Sequence, residues 1–424
     1  MLEMLKTPKK ILLIEPPFYI LFGYERFHYP ITLTLIGTYY EEMGHTVKIL
    51  DADKPDNQCK AYNRGEAGKN YHLYEKELND QTHYIWKVIR DTIAGYSPDI
   101  IGITSITAKI ESANIVAKMA KELLGDKTKV VLGGPHVDGI RSMFPDYNFG
   151  PDYDYIAGRI PNLVDRKPNK QLIINHESYS ALNFSSIMTS TGCPNSCTFC
   201  CHSYEKSMVY RNIDSIRHEV EEIRDLYGCS NPIFIVDDCF FSNSKHFKDV
   251  GDILRENKMK FTSGARVMAL SREKISQFAA NGGQRIYIGV ESGSQRILDK
   301  IKKRLRKDEI VKRTKWLNEA NIPWSAFFIT GFPFETLEDL KMTQDIIEEI
   351  QPTFISLNRF TPYPGTEIYK EYYRDSKFNF KDLFQLNQDS YVRLGDECEE
   401  YISKMFEFAD KYNAEHANKK QLKK

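Results

Sequence analysis

Short apolar runs, each stopped by polar, glycine or proline residues, recur along most of the chain with helical stretches between them. Residues 10–14 (K-I-L-L-I) stop before Pro16-Pro17, 46–50 before Asp51, 99–104 before Ser105, and 129–132 before Gly133-Gly134-Pro135. Residues 153–157 offer a fifth run. Helical spacing fills the gaps at 32–43, 82–94 and 111–124, where Ile115, Met119 and Leu123 fall on one face. Strands alternating with helices predict an α/β fold whose parallel sheet is covered on both faces.

Residues 52–80 are polar and irregular and read as an insertion. Residues 159–182, with Pro161, Pro168 and several asparagines, read as a linker. A second alternating series follows. Its strand segments are 187–189, 234–236 before Asp237-Asp238, 261–263 before Arg266, 287–290 before Glu291, 326–329 before Gly331, and 354–357 before Arg359. Helical stretches include 219–227 and 337–350. Strand–helix units in this number predict a partial (β/α)6 barrel. Chemistry in such folds sits at the carboxyl ends of the strands, where the polar residues just named fall. Beyond 375 the chain is charged and helical, and 419–424 read as unstructured. The expected domains are therefore 8–158, a linker at 159–182, a barrel at 183–375, and a helical segment at 376–424. A length of 424 residues suits such a division.

Lys plus Arg and Asp plus Glu number 58 each, so nothing in the net charge points to a nucleic-acid partner. A basic run at Lys302, Lys303, Arg304, Arg306 and Lys307 reads as a solvated helix face. No stretch approaches the ~18 apolar residues of a membrane span. No secretory signal is evident, because Glu15, Pro16 and Pro17 end the first apolar run. Of the eight cysteines, Cys193, Cys197, Cys200 and Cys201 lie together. Clustering of this kind in a long chain favours a metal or redox site in a reducing cytoplasm over a disulfide scaffold.

The segment T-G-C-P-N-S-C-T-F-C-C, residues 191–201, carries Cys-x3-Cys-x2-Cys spacing directly after a strand. One loop so spaced can wrap three thiolates around three irons of a cubane. The fourth iron is then open to a chelating ligand. A zinc site is the alternative, with Cys201 or His202 as fourth ligand, and a buried structural group of cysteines is another. Cys201 blurs the register, since Cys193, Cys197 and Cys201 also space three ligands. It reads best as a packing residue beside the triad.

With its internal aromatic, Phe199, the motif resembles that of the radical S-adenosylmethionine superfamily over roughly residues 183–375. Gly289-Val290-Glu291-Ser292-Gly293, Ile329-Thr330-Gly331-Phe332-Pro333 with Glu335-Thr336, and Thr361-Pro362-Tyr363-Pro364-Gly365-Thr366 resemble later strand-end elements of the family. The resemblance implies a 4Fe–4S cluster on Cys193, Cys197 and Cys200. It implies S-adenosylmethionine contacts from Phe199, Glu291, Ser292 and Gly331, and from Asp238 and Arg266 unless these simply pair with each other. Val236-Asp237-Asp238 departs from the Gly-Gly-Glu of many relatives.

Residues 8–158 resemble the Rossmann-like cobalamin-binding domain that precedes the barrel in one subgroup. The carrying residues are Pro16-Pro17, Glu41-Glu42-Met43-Gly44-His45, Thr104-Ser105-Ile106-Thr107 and Leu132-Gly133-Gly134-Pro135-His136. Expected cobalamin contacts are Pro17, Ser105, Ile106, Thr107, Gly133, Gly134 and His136, although His136 reads equally as a structural histidine. The Asp-x-His-x-x-Gly motif is absent, so no histidine is expected beneath the cobalt in that manner. Ala157-Gly158-Arg159-Ile160 stands where relatives often have Gly-Glu-Gly-Glu.

The resemblance implies a methyltransferase acting on an unactivated carbon of a small molecule, through a 5′-deoxyadenosyl radical and methylcobalamin. Flavodoxin or ferredoxin would supply the electron. Radical cyclisation, rearrangement, epimerisation or dehydrogenation without methyl transfer is the alternative. A non-enzymatic iron–sulfur scaffold or cobalamin carrier is a third possibility.

Overall fold

A computed structural model describes residues 7–25, 28–54, 60–61, 68–147, 154–155, 160, 163–201, 207–376, 378–384 and 392–421. The chain forms two compact units, Met1–Phe184 with Tyr363–Asn387, and Ser185–Pro362 with Gln388–Lys424.

The first unit is built on a parallel sheet of β1 (Lys10–Glu15), β2 (Thr46–Asp51), β3 (Ile100–Thr104), β4 (Lys129–Gly133) and β5 (Asp154–Tyr155). Their order across the sheet is 2-1-3-4-5. The order reverses between β1 and β3, and the carboxyl edge of an open sheet offers its ligand crevice at that switch point. The helices are α1 (Ile31–Glu42), α2 (Tyr71–Asp80), α3 (Tyr84–Tyr96), α4 (Ile110–Leu124) and α5 (Pro135–Met143). Leu12, Ile14, Ile101, Ile103 and Leu132 pack against Trp86, Ile89, Val116 and Ala120 in one buried core.

Two segments differ from the sequence reading. Residues 71–80 of the presumed irregular insertion are a helix. Tyr71 and Tyr74 lie one turn apart and are both buried against Phe18. In the presumed linker, Ile173 bridges Ile49 of β2, and Asn169 N–H donates to Thr38 Oγ1 at 2.8 Å. The loop Ala157-Gly158-Arg159 lies outside the described residues.

The second unit is built on β6 (Ser186–Ile187), β7 (Ile233–Ile235), β8 (Phe261–Ala265), β9 (Gly283–Glu291), β10 (Trp324–Thr330) and β11 (Phe354–Arg359). All pairings are parallel, and each strand lies beside its sequence neighbour. β6 and β11 are the two ends, so the sheet is a partial barrel and not a closed one. The helices are α6 (Ile213–Tyr227), α7 (Ser244–Glu256), α8 (Arg272–Ala280), α9 (Gln295–Lys300), α10 (Lys307–Glu319), α11 (Leu337–Ile350) and α12 (Asp396–Gln421). Their starts are written locally. Asn212, Asn243, Ser271 and Ser294 cap first-turn amides of α6, α7, α8 and α9. Thr336 and Asp339 form a reciprocal capping box on α11. Among the described residues no helix is long and apolar enough to cross a membrane.

Candidate functional site

In the second unit the polar strand ends converge on the cysteine loop. Ser190–Thr191 pairs antiparallel with Val209–Tyr210, which closes the base of the loop. Asp237, just past β7, holds that base. Its carboxylate accepts Thr189 N–H at 2.6 Å, Thr189 O–H at 2.5 Å and Ser190 O–H at 2.6 Å. Burial nevertheless pushes its pKa up to about 6. Asp238 Oδ2 accepts Gly192 N–H at 3.2 Å. A buried Arg211–Glu219 ion pair and the bond from Arg211 N–H to Thr189 O, 2.9 Å, brace the other side.

Each motif cysteine faces a different neighbour. Cys193 Sγ lies 3.4 Å from Cys239 Sγ and accepts from Asn195 Nδ2 at 3.3 Å. Cys197 is buried and accepts from Arg266 Nη1 at 3.7 Å. Cys200 is exposed, and its thiol bonds with that of Cys197. The hydrogen bond with Cys239, aided by Asn195 and Arg266, holds Cys193 below the ordinary thiol range. The hydrogen bond with Cys200, aided by Lys303 and Arg266, does the same for Cys197.

Glu291 ends β9 at φ +73°, a left-handed backbone that non-glycine residues rarely adopt, beside a register shift in the pairing with β10. Its carboxylate meets Lys303 Nζ at 2.6 Å, with both side chains buried. This corrects the reading of the basic run as a solvated helix face. Residues 302–306 are not helical, and Lys302 and Arg304 take φ +52° on either side of an inward-pointing Lys303. Lys303 Nζ stands 5.9 Å from the Phe199 ring centroid, and its carbonyl accepts Arg266 Nη2 at 2.7 Å. The Arg266 guanidinium is thus directed at Cys197 and Lys303.

Ser292 is fully buried, and its hydroxyl contacts Thr343 Oγ1 and Ser294 N–H at 3.1 Å each. Gly331 (φ +86°) donates its N–H to Glu335 Oε2 at 2.5 Å, and burial pushes Glu335 up to about 8. Phe332 reaches back to Phe199 with ring centroids 6.1 Å apart. Cys239, Arg266, Lys303 with Glu291, and Phe332 therefore bring the ends of β7, β8, β9 and β10 to the one loop.

Three thiols on one loop, with Arg266 and Lys303 beside them, are a donor set that would suit an anionic iron–sulfur cluster. Among the described residues no three His, Cys, Asp or Glu groups converge on one ion position. Cubane ligands each hold their own iron and need no common point. Arg266 and Lys303 supply the positive charge that ligated thiolates require. Of the alternative zinc ligands, His202 lies outside the described residues.

At the carboxyl edge of the first sheet, Pro17, Ser105, Thr107 and His136 are buried, Gly133 and Gly134 half-buried, and Ile106 is 43% exposed. Ser105 O–H donates to the carbonyl of Ile106 at 2.9 Å. His136 Nδ1 meets Thr107 Oγ1 at 3.2 Å, and burial lowers its pKa to about 3, so the ring is neutral. Gly134 (φ +102°) is required by the protein itself, since a Cβ there would stand 2.7 Å from the carbonyl oxygen of Ser105. Ile106, the exposed side chain of the Ser105–Thr107 turn, lies beside the half-buried Gly133–Gly134 backbone, an edge against which the face of a flat macrocycle could lie.

Sequence reasoning missed the group behind this edge. Lys109 Nζ bonds Glu15 Oε1 at 2.5 Å and Asp53 Oδ2 at 2.6 Å, with all three side chains buried. Asp53 Oδ1 also accepts Phe18 N–H at 2.8 Å, tying the loop after β2 to the one after β1. It missed Lys303 and Cys239 as well. The signal for Cys239 was its position at a strand end, next to Asp237-Asp238.

Residues 187–347 match the radical SAM superfamily. An "uncharacterized methyltransferase" of Pyrococcus horikoshii is 28% identical over 329 residues, 66% of this chain and 71% of that protein. The cytidylyl-2-hydroxyethylphosphonate methyltransferase of Streptomyces wedmorensis is 22% identical over 86% of this chain and 81% of its own length. Among solved structures, the radical S-adenosylmethionine methyltransferase TsrM of Kitasatospora setae, with cobalamin and a [4Fe-4S] cluster bound, is similar with TM-score 0.61. It is 14% identical, covering 86% of this chain and 74% of that one. The cobalamin-dependent radical enzyme OxsB, with aqua-cobalamin and S-adenosylmethionine bound, is similar with TM-score 0.55. It is 15% identical, covering 97% of this chain and 62% of that one. The two structures share the fold of this chain.

Proposed function

We propose that the protein is a cobalamin-dependent radical S-adenosylmethionine enzyme that methylates an unactivated carbon of a small molecule. The observation that carries this reading is the convergence of four consecutive strand ends on the loop bearing Cys193, Cys197 and Cys200. The doubly wound unit, and relatives named as methyltransferases, support the methyl-transfer half.

In this reading Cys193, Cys197 and Cys200 hold a 4Fe–4S cluster, and Arg266 and Lys303 balance its charge. Phe199, Asp238, Glu291 and Gly331 surround S-adenosylmethionine, and Ser292 sets the backbone from behind. Pro17, Ser105, Thr107 and His136 shape a cobalamin site whose contact surface is Ile106 with Gly133 and Gly134. When bound, the cluster with S-adenosylmethionine supplies a carbon-centred radical and cobalamin supplies the methyl group. The chain's own part is to hold the loop through Asp237, to set Lys303 against Glu291, and to keep His136 neutral. A flavodoxin or ferredoxin as electron donor, and the cytoplasm as compartment, belong to the same proposal.

The test is anaerobic reconstitution of the full chain with iron, sulfide and cobalamin. Bound iron–sulfur cluster and retained cobalamin are expected. Replacing Cys193, Cys197 and Cys200 together by alanine should abolish the cluster absorbance and leave the far-ultraviolet spectrum intact. With substrate, both 5′-deoxyadenosine and S-adenosylhomocysteine should form. The first product alone, without methylated substrate, would leave radical chemistry and overturn methyl transfer.

A further inference from the structure

Cys239 reaches the cluster loop from the end of β7, 46 residues beyond Cys193 in sequence. It lies outside the Cys-x3-Cys-x2-Cys motif, and none of the roles above uses it. We propose that the Cys239 thiol donates a hydrogen bond to the cluster-ligating sulfur of Cys193 and so raises the reduction potential of the cluster. Cys239 is then a positioning residue that acts through Cys193. The inference rests on the reading of Cys193, Cys197 and Cys200 as the cluster ligands.

Four observations support it. The sulfurs are 3.4 Å apart, within reach of an S–H···S bond. Cys239 is 3% exposed and is followed by the buried Phe240 and Phe241, so its side chain is held out of solvent beside Cys193. The geometry is fixed from both sides. Ser242 N–H binds the Cys239 carbonyl at 3.0 Å, and the neighbouring Asp237 clamps Thr189 and Ser190 at the base of the same loop. Finally, Cys193 also accepts from Asn195 Nδ2 at 3.3 Å, so two donors address one sulfur.

Donors to a ligating sulfur withdraw electron density and stabilise the more negative, reduced cluster. The single electron that starts the reaction enters through the cluster. A donor on Cys193 therefore sets how strong a reductant the enzyme needs.

The test compares the reconstituted full chain with Cys239→Ala, Cys239→Val and Cys239→Ser by iron and sulfide content and by potentiometric titration of the reduced-cluster EPR signal. All should carry the same cluster content. The Ala and Val variants should show a more negative midpoint potential, and Ser, which keeps a donor, should return it toward the wild type. If Ala fails to fold, the larger Val fills the site and carries the comparison. Full cluster content with unchanged potential in both would overturn the donor role. Loss of iron in both would overturn it too, making Cys239 a ligand. A wild type that holds no cluster would instead defeat the underlying cluster assignment.

Discussion

Replacing Lys303 by Met tests the buried pair beside the cysteine loop. Lys303 Nζ and Glu291 Oε1 are 2.6 Å apart, and the two side chains are 8% and 9% exposed. Met keeps the length and apolar stem of lysine but leaves the Glu291 carboxylate buried without its cation. Breaking such a pair from one side costs about 3–5 kcal/mol, because the remaining charge stays desolvated. With a urea slope of about 2.5 kcal/mol/M, the unfolding midpoint of the second unit should fall by about 1–2 M. Trp316 and Trp324 lie in that unit and Trp86 in the other, so fluorescence in a Trp86→Phe background reports it alone. Adding Glu291→Gln to Lys303→Met removes the stranded charge and should restore most of the loss. A midpoint unmoved by Lys303→Met, or a double variant no better than the single one, would refute the argument.

Gly134→Ala should cost at least about 2 kcal/mol, since φ +102° is strained for alanine and its Cβ would press on the Ser105 carbonyl. Faster hydrogen exchange in β3 and β4 is the readout. His136 titrates near 3 when folded against 6.5 when free, so the unfolded chain takes up its proton first as pH falls. Stability should drop through that window, by about 2 kcal/mol at pH 5, and His136→Gln should remove this component in paired urea melts at pH 7.5 and 5. Arg359 bonds Glu399 and the carbonyl of Val392 while 5% exposed. Arg359→Leu should cost about 3 kcal/mol and open the start of α12 to limited proteolysis.

The strand–helix alternation was legible because both sheets are parallel, so most strands are largely apolar and end abruptly in polar residues. The cysteine spacing was legible because one loop carries it. The rest depends on which way a side chain turns. Asp237 and Asp238 are identical neighbours at one strand end, yet the first is the buried clamp on Thr189 and Ser190, and the second meets Gly192. Lys303 sits among like charges and is set apart by backbone angles at Lys302 and Arg304 that no residue type there announces. Gly134 read as a cofactor contact, while its positive φ and the nearby Ser105 carbonyl, which demand a glycine for the fold itself, could not be read from the sequence. Tyr71 and Tyr74 are spaced for a helix, but the polar sequence around them masked it.

The first unit takes part of its core from Tyr363–Asn387. Phe384 is buried at 5% and stacked on Tyr71 with ring centroids 5.2 Å apart, and Tyr71 O–H donates to the carbonyl of Lys381. A ribosome making about 5–20 residues per second needs roughly 10–40 s to deliver Phe384 after residue 184. Throughout that interval the aromatic face of Phe18, Tyr71 and Tyr74 lacks its cover. The unit whose synthesis starts first must therefore wait until most of the other unit has been made before it is complete, and a fragment cut at residue 184 would emerge with that face open to aggregation.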